Sequence, residues 1–148
     1  DGMSHTFILS KEMTEKANLT LEELDTAAEK NTKERGFSHA PLSEILHIYM
    51  PEKEQPYVLT NPEKTYGANI LLFPEELAKT ADVFEDDFYL IPSSIHELMA
   101  YPVSSIEKEY LLEILRSANA DPTVVKKEEV LGYRIYRYNR KTGTVTFA

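Results

Sequence analysis

Four polar residues within five positions carry the side-chain types of a Ser-His-acid catalytic triad: Ser93, Ser94, His96 and Glu97. In such a triad one ring nitrogen of the histidine meets the serine hydroxyl and the other meets the carboxylate. Neighbours on one short turn seldom reach each other in that way. The Gly-x-Ser-x-Gly sequence that presents many nucleophilic serines does not surround them. We therefore predict no catalysis at this turn and keep a hydrolase-like enzyme that uses it as the alternative hypothesis.

The same spacing supports a structural interpretation. Ser94 followed by Glu97 three positions later is the capping-box pattern, in which each side chain satisfies a free backbone N–H at the start of a helix. Pro92 ends the apolar run before it, because proline cannot continue a central strand. We therefore predict a single helical turn from Ser94, followed by a strand over residues 98–101.

Other groups of residues match the known patterns of metal-binding sites poorly. A zinc-binding helix would need a second histidine at position 100, which is Ala100, and the histidines are scattered at positions 5, 39, 47 and 96. The acidic run at 85–87 lacks the spaced pattern of a calcium loop and is predicted to be a solvated turn. The sequence therefore predicts no metal and no cofactor.

A second turn adds two candidate binding residues. Residues 61–67 start with Asn-Pro and end with Gly67, so they are predicted to join strands 57–60 and 68–73 in a hairpin, with Gly67 at positive φ. Asn61 and Tyr66 lie on this turn. Together with the residues of the 93–97 turn, they complete the set of candidate binding residues.

Composition narrows the function classes. The chain has 148 residues, a net charge of −9 and no cysteine. Negative charge opposes binding to nucleic acid and to anionic membranes, and no apolar run reaches the about 20 residues that span a bilayer. We expect one cytoplasmic domain over residues 1–148 that binds neither nucleic acid nor membrane.

The start of the chain suggests an earlier segment. Residues 5–9 (HTFIL) have a strand-like pattern with nothing before them to pair with, and the first residue is not methionine. We therefore expect the C-terminal part of a longer protein, whose first strand has lost a neighbour. The expected partner is the missing N-terminal half or another protein.

Local signals place the remaining elements. A helix over 18–32 is predicted with Thr20 and Glu23 as a capping box, and further helices are predicted over 41–50, 74–81 and 104–119, with a turn or two of helix over 126–131. Further strands are predicted over 88–91, 133–138 and 144–147. These elements predict an α+β fold with an antiparallel or mixed sheet of about five to seven strands and three to five helices packed on it. Six residues are predicted to be buried: Leu24, Leu71, Phe88, Leu90, Leu111 and Leu115.

Four segments resemble a known family: 21–32 (LEELDTAAEKNT), 57–61 (YVLTN), 67–74 (GANILLFP) and 87–97 (DFYLIPSSIHE). They are similar to the C-terminal half of DUF5688, a bacterial family of unknown function found in clostridial gut anaerobes. Met99, Ala100 and Tyr101 stand where that family tends to carry more aliphatic residues. The resemblance covers nearly the whole chain and implies no established activity. The leading hypothesis is a non-catalytic binding or protein-interaction domain.

Overall fold

The computed structural model describes residues 8–92 and 94–148, and its contacts divide the chain into two compact units, residues 1–35 and 36–148. In the first unit, helix α1 is Lys11–Lys16 and helix α2 is Leu21–Arg35. The predicted capping box is confirmed, since Glu23 N donates to Thr20 Oγ1 at 3.2 Å and Thr20 N donates to Glu23 Oε2 at 2.9 Å. The hydrogen bond from the Thr20 backbone, followed by that from its hydroxyl, lowers the pKa of Glu23.

Two predictions about this first unit have different outcomes. The buried stripe expected on α2 is wrong, because none of its residues is buried: Leu21 is largely exposed and Leu24 is half-buried. A helix this rich in charge offers too few apolar side chains to bury a continuous face. The predicted strand over 5–9 falls mostly outside the described residues, and Ile8 and Leu9 belong to no strand.

The second unit is built on a six-stranded sheet, and every pair of neighbouring strands is antiparallel. The α+β prediction is confirmed. Along the sheet the strands follow the order β1-β2-β4-β3-β5-β6. In chain order the elements are β1 Ser38–Pro41, α3 Leu42–Leu46, β2 Tyr57–Thr60, a 3₁₀ helix Gly67–Leu72, α4 Pro74–Phe84, β3 Phe88–Ile91, β4 Leu98–Pro102, a 3₁₀ helix Val103–Ser105, α5 Lys108–Ala120, a 3₁₀ helix Lys127–Glu129, β5 Tyr136–Asn139 and β6 Thr144–Phe147.

Both faces of the sheet are covered, and the alternation of side chains along β3 explains how. Phe88 and Leu90 point into a core with α4, whereas Ile91 points into a second core with α5. Each fully buried side chain of this size contributes about 1.5–3 kcal/mol by leaving water. Of the six residues predicted to be buried, four are fully buried (Phe88, Leu90, Leu111 and Leu115). Leu71, like Leu24, is only half-buried.

The hairpin predicted across residues 57–73 is wrong in its second half. β2 forms as predicted, but residues 67–72 are a 3₁₀ helix. The reason is that β2 is already paired on both edges, with β1 on one side and β4 on the other. β1 was not predicted, since its sequence Ser-His-Ala-Pro carries no strand signal.

The end of one helix and the start of another also differ from the predictions. The helix expected over 41–50 ends at Leu46, because His47 adopts a left-handed conformation at φ 54°. α5 begins only at Lys108, since Ser104 N donates to Asp86 Oδ2 and the expected capping box there does not form. The short helix at Lys127–Glu129 and the strands β5 and β6 agree with the predicted elements, although β5 starts three residues later. None of the helices in the described ranges has the length and apolar character needed to cross a membrane.

Candidate functional site

The turn that contains the candidate Ser-His-acid residues is not helical. Ser94 forms an isolated bridge with Val130, and Ile95 N donates to Glu129 O at 2.9 Å. The predicted helical turn is therefore wrong, because this segment is paired in an extended form with residues more than 30 positions later. Ser93 lies outside the described residues.

The hydroxyl of Ser94 closes its own turn. Ser94 Oγ accepts a hydrogen bond from His96 N at 3.0 Å, a local pattern in which a serine caps the backbone two residues ahead. The predicted capping box with Glu97 does not form. In the described part of the chain the Glu97 side chain has no hydrogen bond.

His96 connects three segments of the second unit. Its Nδ1 accepts a hydrogen bond from Tyr66 N at 3.1 Å, and its Nε2 lies 3.5 Å from Glu129 Oε1. Its backbone oxygen accepts a hydrogen bond from the Thr60 hydroxyl at 2.7 Å. Because Nδ1 accepts this bond, the other ring nitrogen, Nε2, is the one directed toward Glu129.

Gly67 makes this close approach possible. A Cβ atom at position 67 would lie 2.7 Å from both Asn61 N and His96 O, which is closer than real Cβ contacts. The positive φ predicted for Gly67 is found instead at Tyr66, at 56°. Glycine is therefore required here for space and not for a left-handed backbone.

Asn61 has a structural role in the same turn. The residue is buried, its Nδ2 donates to Thr65 O at 2.8 Å, and its Oδ1 accepts from Thr65 N at 3.2 Å. Both ends of the amide are used by the turn. Asn61 was a candidate binding residue, and these bonds occupy the groups with which it would bind a ligand.

An apolar groove of about 330 Å³ lies beside this junction. Its walls come from the 3₁₀ helix Gly67–Leu72, from Tyr66 just before this helix, and from Ile95 and Leu131 in two later loops. The lining residues are Tyr66, Ala68, Asn69, Leu71, Leu72, Ile95 and Leu131. Of the candidate binding residues, Tyr66 lines the groove, and its ring centroid is 5.5 Å from that of His96. Ser94, His96, Glu97 and Asn61 are not among the lining residues.

Four of the groove residues, Ala68, Asn69, Leu71 and Leu72, were missed from the sequence because residues 68–73 were interpreted as a strand. One signal could have found them. Leu71 and Leu72 are consecutive apolar residues immediately before the helix-starting Pro74, and such a pair cannot both point into one core. Leu131 carries no comparable local signal.

The carboxylate that faces His96 is held as an anion. Lys126 Nζ donates to Glu129 Oε1 at 2.9 Å. This hydrogen bond is the main cause of a lowered pKa of Glu129, and His96 adds to it. The negative charge of Glu129 therefore favours a proton on Nε2 of His96, the ring nitrogen that faces it.

A second histidine forms a hydroxyl-imidazole-carboxylate chain that sequence reasoning missed. His39 Nδ1 lies 2.9 Å from Thr80 Oγ1, and His39 Nε2 lies 3.4 Å from Glu76 Oε2. Thr80 is only 1% exposed, so its hydroxyl is not placed to attack a substrate. Burial lowers the pKa of His39, and the three residues tie β1 to α4.

The acidic run at 85–87 is not simply the solvated turn that was predicted. Asp87 Oδ2 accepts from Arg137 Nη2 at 2.7 Å, and Asp87 Oδ1 accepts from Arg140 N at 2.8 Å. Burial alone would raise the pKa of Asp87, but these bonds outweigh it and lower the pKa. Within the described residues, no group of three or more histidine or acidic side chains is arranged to hold a metal ion.

The second unit is thus an α+β domain with an antiparallel sheet covered on both faces and an apolar groove beside His96. A family model described as a family of unknown function, DUF5688, matches residues 1–140. The chain belongs to the DUF5688 family, which confirms the family resemblance found in the sequence, whereas its assignment to the C-terminal half of that family stays a prediction. No curated protein and no solved structure matches it.

Proposed function

We propose that this chain is a non-catalytic binding domain that takes apolar side chains of a protein partner in the groove beside His96. The supporting observation is the exposure of large apolar residues around one concave site: Leu72 is 76% exposed, Tyr66 48% and Leu131 43%. Single exposed apolar residues are ordinary, but a group of them around a groove is typical of an interaction site.

The chemistry of the lining favours a protein partner over a small polar ligand. Small-molecule sites combine apolar walls with several polar groups that converge on the ligand. Here the ring nitrogens of His96 already face Tyr66 N and Glu129, so they have no free position for a ligand. Apolar anchors that enter a groove are the usual centre of protein interfaces.

The partner in this proposal is a protein segment, either from the preceding half of the same polypeptide or from another protein. The sequence resemblance motivates the first source. The cysteine-free composition fits a reducing compartment, and we place the interaction in the cytoplasm.

The bonding of His96 supports binding over the hydrolase alternative. A hydrolase would need the imidazole within reach of a serine hydroxyl. In the described residues, the hydroxyl of Ser94 accepts from the His96 backbone, and no serine hydroxyl is hydrogen-bonded to the ring.

A displayed library of random peptides tests the proposal. We expect selected peptides to carry neighbouring apolar residues. Their affinity should fall at least about tenfold for the double variant Leu72→Ser and Leu131→Ser, since each removes an anchor contact of roughly 1 kcal/mol or more. Leu46→Ser is the matched control, because Leu46 is also largely exposed but does not line the groove.

Two outcomes would contradict the proposal. One is the absence of any selected peptide, and the other is equal loss of affinity in the control and the groove variant. Ester hydrolysis by the purified chain that disappears in Ser94→Ala would instead support the hydrolase.

A further inference from the structure

Asn69 brings an unpaired amide to the wall of the apolar groove. It lies within the 3₁₀ helix Gly67–Leu72, and the only other lining residue with a polar side chain is Tyr66. The Oδ1 atom of Asn69 is buried and accepts no hydrogen bond, and within the described residues its side chain donates none. A buried amide oxygen without a donor is uncommon in native proteins because it costs stability. The groove would be more stable with an apolar residue at this position.

Two other asparagines show how such an amide is normally fixed. Asn61 uses both ends of its amide on the backbone of Thr65, at 2.8 Å and 3.2 Å. Asn119 also has an unpaired Oδ1, but its Nδ2 donates to Gly132 O at 2.8 Å and holds that amide in place. The Asn69 amide has no such bond. It can therefore turn toward the groove without losing a hydrogen bond.

An asparagine amide has the groups needed to pair with one residue of an extended peptide. In a strand the N–H and C=O of one residue point to the same side, and an antiparallel neighbour exchanges hydrogen bonds with both. The amide of an asparagine offers the matching acceptor and donor. Within a helix, by contrast, the main-chain N–H and C=O groups are already bonded to each other. An unpaired amide at the groove wall therefore favours an extended segment over a helix.

We propose that Asn69 is the specificity-determining residue of the groove, and that its amide pairs with the main-chain N–H and C=O of one residue in an extended segment of the protein partner. This inference rests on the proposed function and adds how the partner is recognised. On binding, Oδ1 gains a donor and Nδ2 gains an acceptor. The partner thus satisfies both ends of an amide that the chain itself leaves unpaired.

The same pairing predicts the spacing of the partner's apolar residues. Side chains alternate along an extended segment, so the residues before and after the paired one point to the same face. Leu72, Ile95 and Leu131 supply apolar walls for these two side chains. The partner should carry apolar residues two positions apart, whereas a helix would present them three or four apart.

Methylation of the peptide backbone tests the pairing. Peptides selected against the full chain are synthesised with one main-chain N–H at a time replaced by N–CH₃. We expect one position where methylation raises the Kd at least about tenfold, because Oδ1 of Asn69 then loses its donor. Asn69→Leu should itself raise the Kd of the unmethylated peptide, and methylation at that position should then cost at most about twofold more. Such non-additivity is the mark of two groups in contact.

Stability separates this role from a purely structural one. Asn69→Leu should unfold at the same or a higher urea concentration than the unmodified chain, because it removes the unpaired buried oxygen. A structural asparagine would give the opposite result. Asn69→Ala is the second variant, since alanine lacks the amide and suits a helix. Asn31→Leu is the matched control: Asn31 is exposed on α2 and does not line the groove, so the affinity and the methylation pattern should be unchanged.

The outcomes distinguish this inference from the proposed function. If the peptides lose affinity for the double variant Leu72→Ser and Leu131→Ser but bind Asn69→Leu and Asn69→Ala as tightly as the unmodified chain, the role of Asn69 is overturned and the groove remains the binding site. The role is also overturned if methylation costs the same in the Asn69 variants as in the unmodified chain. If no peptide is selected, both proposals fail.

Discussion

At the scale of single residues, His96 and Gly67 hold the turn at Tyr66, which lines the groove. The His96 ring accepts the Tyr66 amide while its backbone oxygen accepts the Thr60 hydroxyl, so one residue holds both the turn and the end of β2. Gly67 permits this because it has no side chain where these groups meet. The absence of a side chain at Gly67 therefore allows the turn at Tyr66 and the backbone of His96 to lie close together.

Gly67→Ala is expected to destabilise the fold by about 1–3 kcal/mol, the usual cost of forcing a methyl group into packed surroundings. The added Cβ would meet backbone atoms of Asn61 and His96, which cannot move aside as a flexible side chain can. Urea unfolding measures the change. Gly132→Ala is the matched control, because its Cβ would lie 3.6 Å from Pro92 Cγ, an ordinary contact. Equal stability of the two variants would contradict the packing argument.

At the scale of elements, polar side chains join parts of the sheet to the helices and loops around it. His39 on β1 meets Thr80 and Glu76 on α4. Asp87, immediately before β3, meets Arg137 on β5 and the backbone of Arg140 in the next turn. Each tie depends on one protonation state, and each therefore predicts a pH dependence of stability.

The His39 tie predicts that stability falls as the pH is lowered through about 6.5, the ordinary pKa of histidine. Burial lowers the pKa of His39 in the folded chain, so the unfolded chain binds the proton more readily and is favoured in acid. The lost stability extends from pH 6.5 down to the lower folded pKa. Urea unfolding at pH 7.5 and at lower pH measures it. His39→Asn should reduce the slope, and an unchanged slope in this variant would contradict the prediction.

Asp87→Asn is expected to cost about 1–2 kcal/mol at neutral pH, since it weakens charge-assisted hydrogen bonds on a side chain only 18% exposed. Asp82→Asn is the control: Asp82 pairs with Arg140 but is 74% exposed, so its loss should cost at most a few tenths of a kcal/mol. Thermal unfolding compares the two variants.

Asp87 also contributes to the loss of stability at acidic pH. The pKa of Asp87 is lowered in the folded chain, so its contribution is complete above the unfolded pKa of about 3.9 and is lost as the pH falls through the folded value. Asp87→Asn should flatten this part of the stability profile. If stability at acidic pH fell in the same way in Asp87→Asn and in the unmodified chain, the Asp87–Arg137 ion pair would not contribute to stability.

At the scale of the whole molecule, the two units differ in how they are built. Every fully buried residue of the described chain lies in the second unit, residues 36–148, and α1 and α2 of the first unit contain none. The expectation of a single domain over 1–148 stays a prediction. The hydrophobic core of the described residues therefore lies in the second unit.

Residues 36–148 are therefore expected to fold alone, with a thermal midpoint within about 4 °C of the full chain, which corresponds to less than about 1 kcal/mol. Trypsin should release this fragment by cleavage after Arg35, and it should then resist further digestion. A fragment with no cooperative unfolding transition would show that α1 or α2 supplies essential contacts.

Some features of this protein were determined by short stretches of sequence. β3 forms at Phe88–Ile91 as predicted, α4 starts at Pro74, and the capping box of Thr20 and Glu23 forms at the start of α2. In each case the cause lies within a few residues: an apolar run closed by proline, a proline at the first helical position, or two side chains three positions apart.

Other features were decided only by the tertiary structure. Residues 67–72 have a strand-like composition but form a 3₁₀ helix, because both edges of β2 are taken by β1 and β4. The turn at Ser94 is extended because it pairs with Val130, and His96 finds its hydrogen-bond donor at Tyr66, 30 positions away. Local propensities differ by at most about 1 kcal/mol, so the pairing of distant segments overrides them, and the groove arises only where those segments meet.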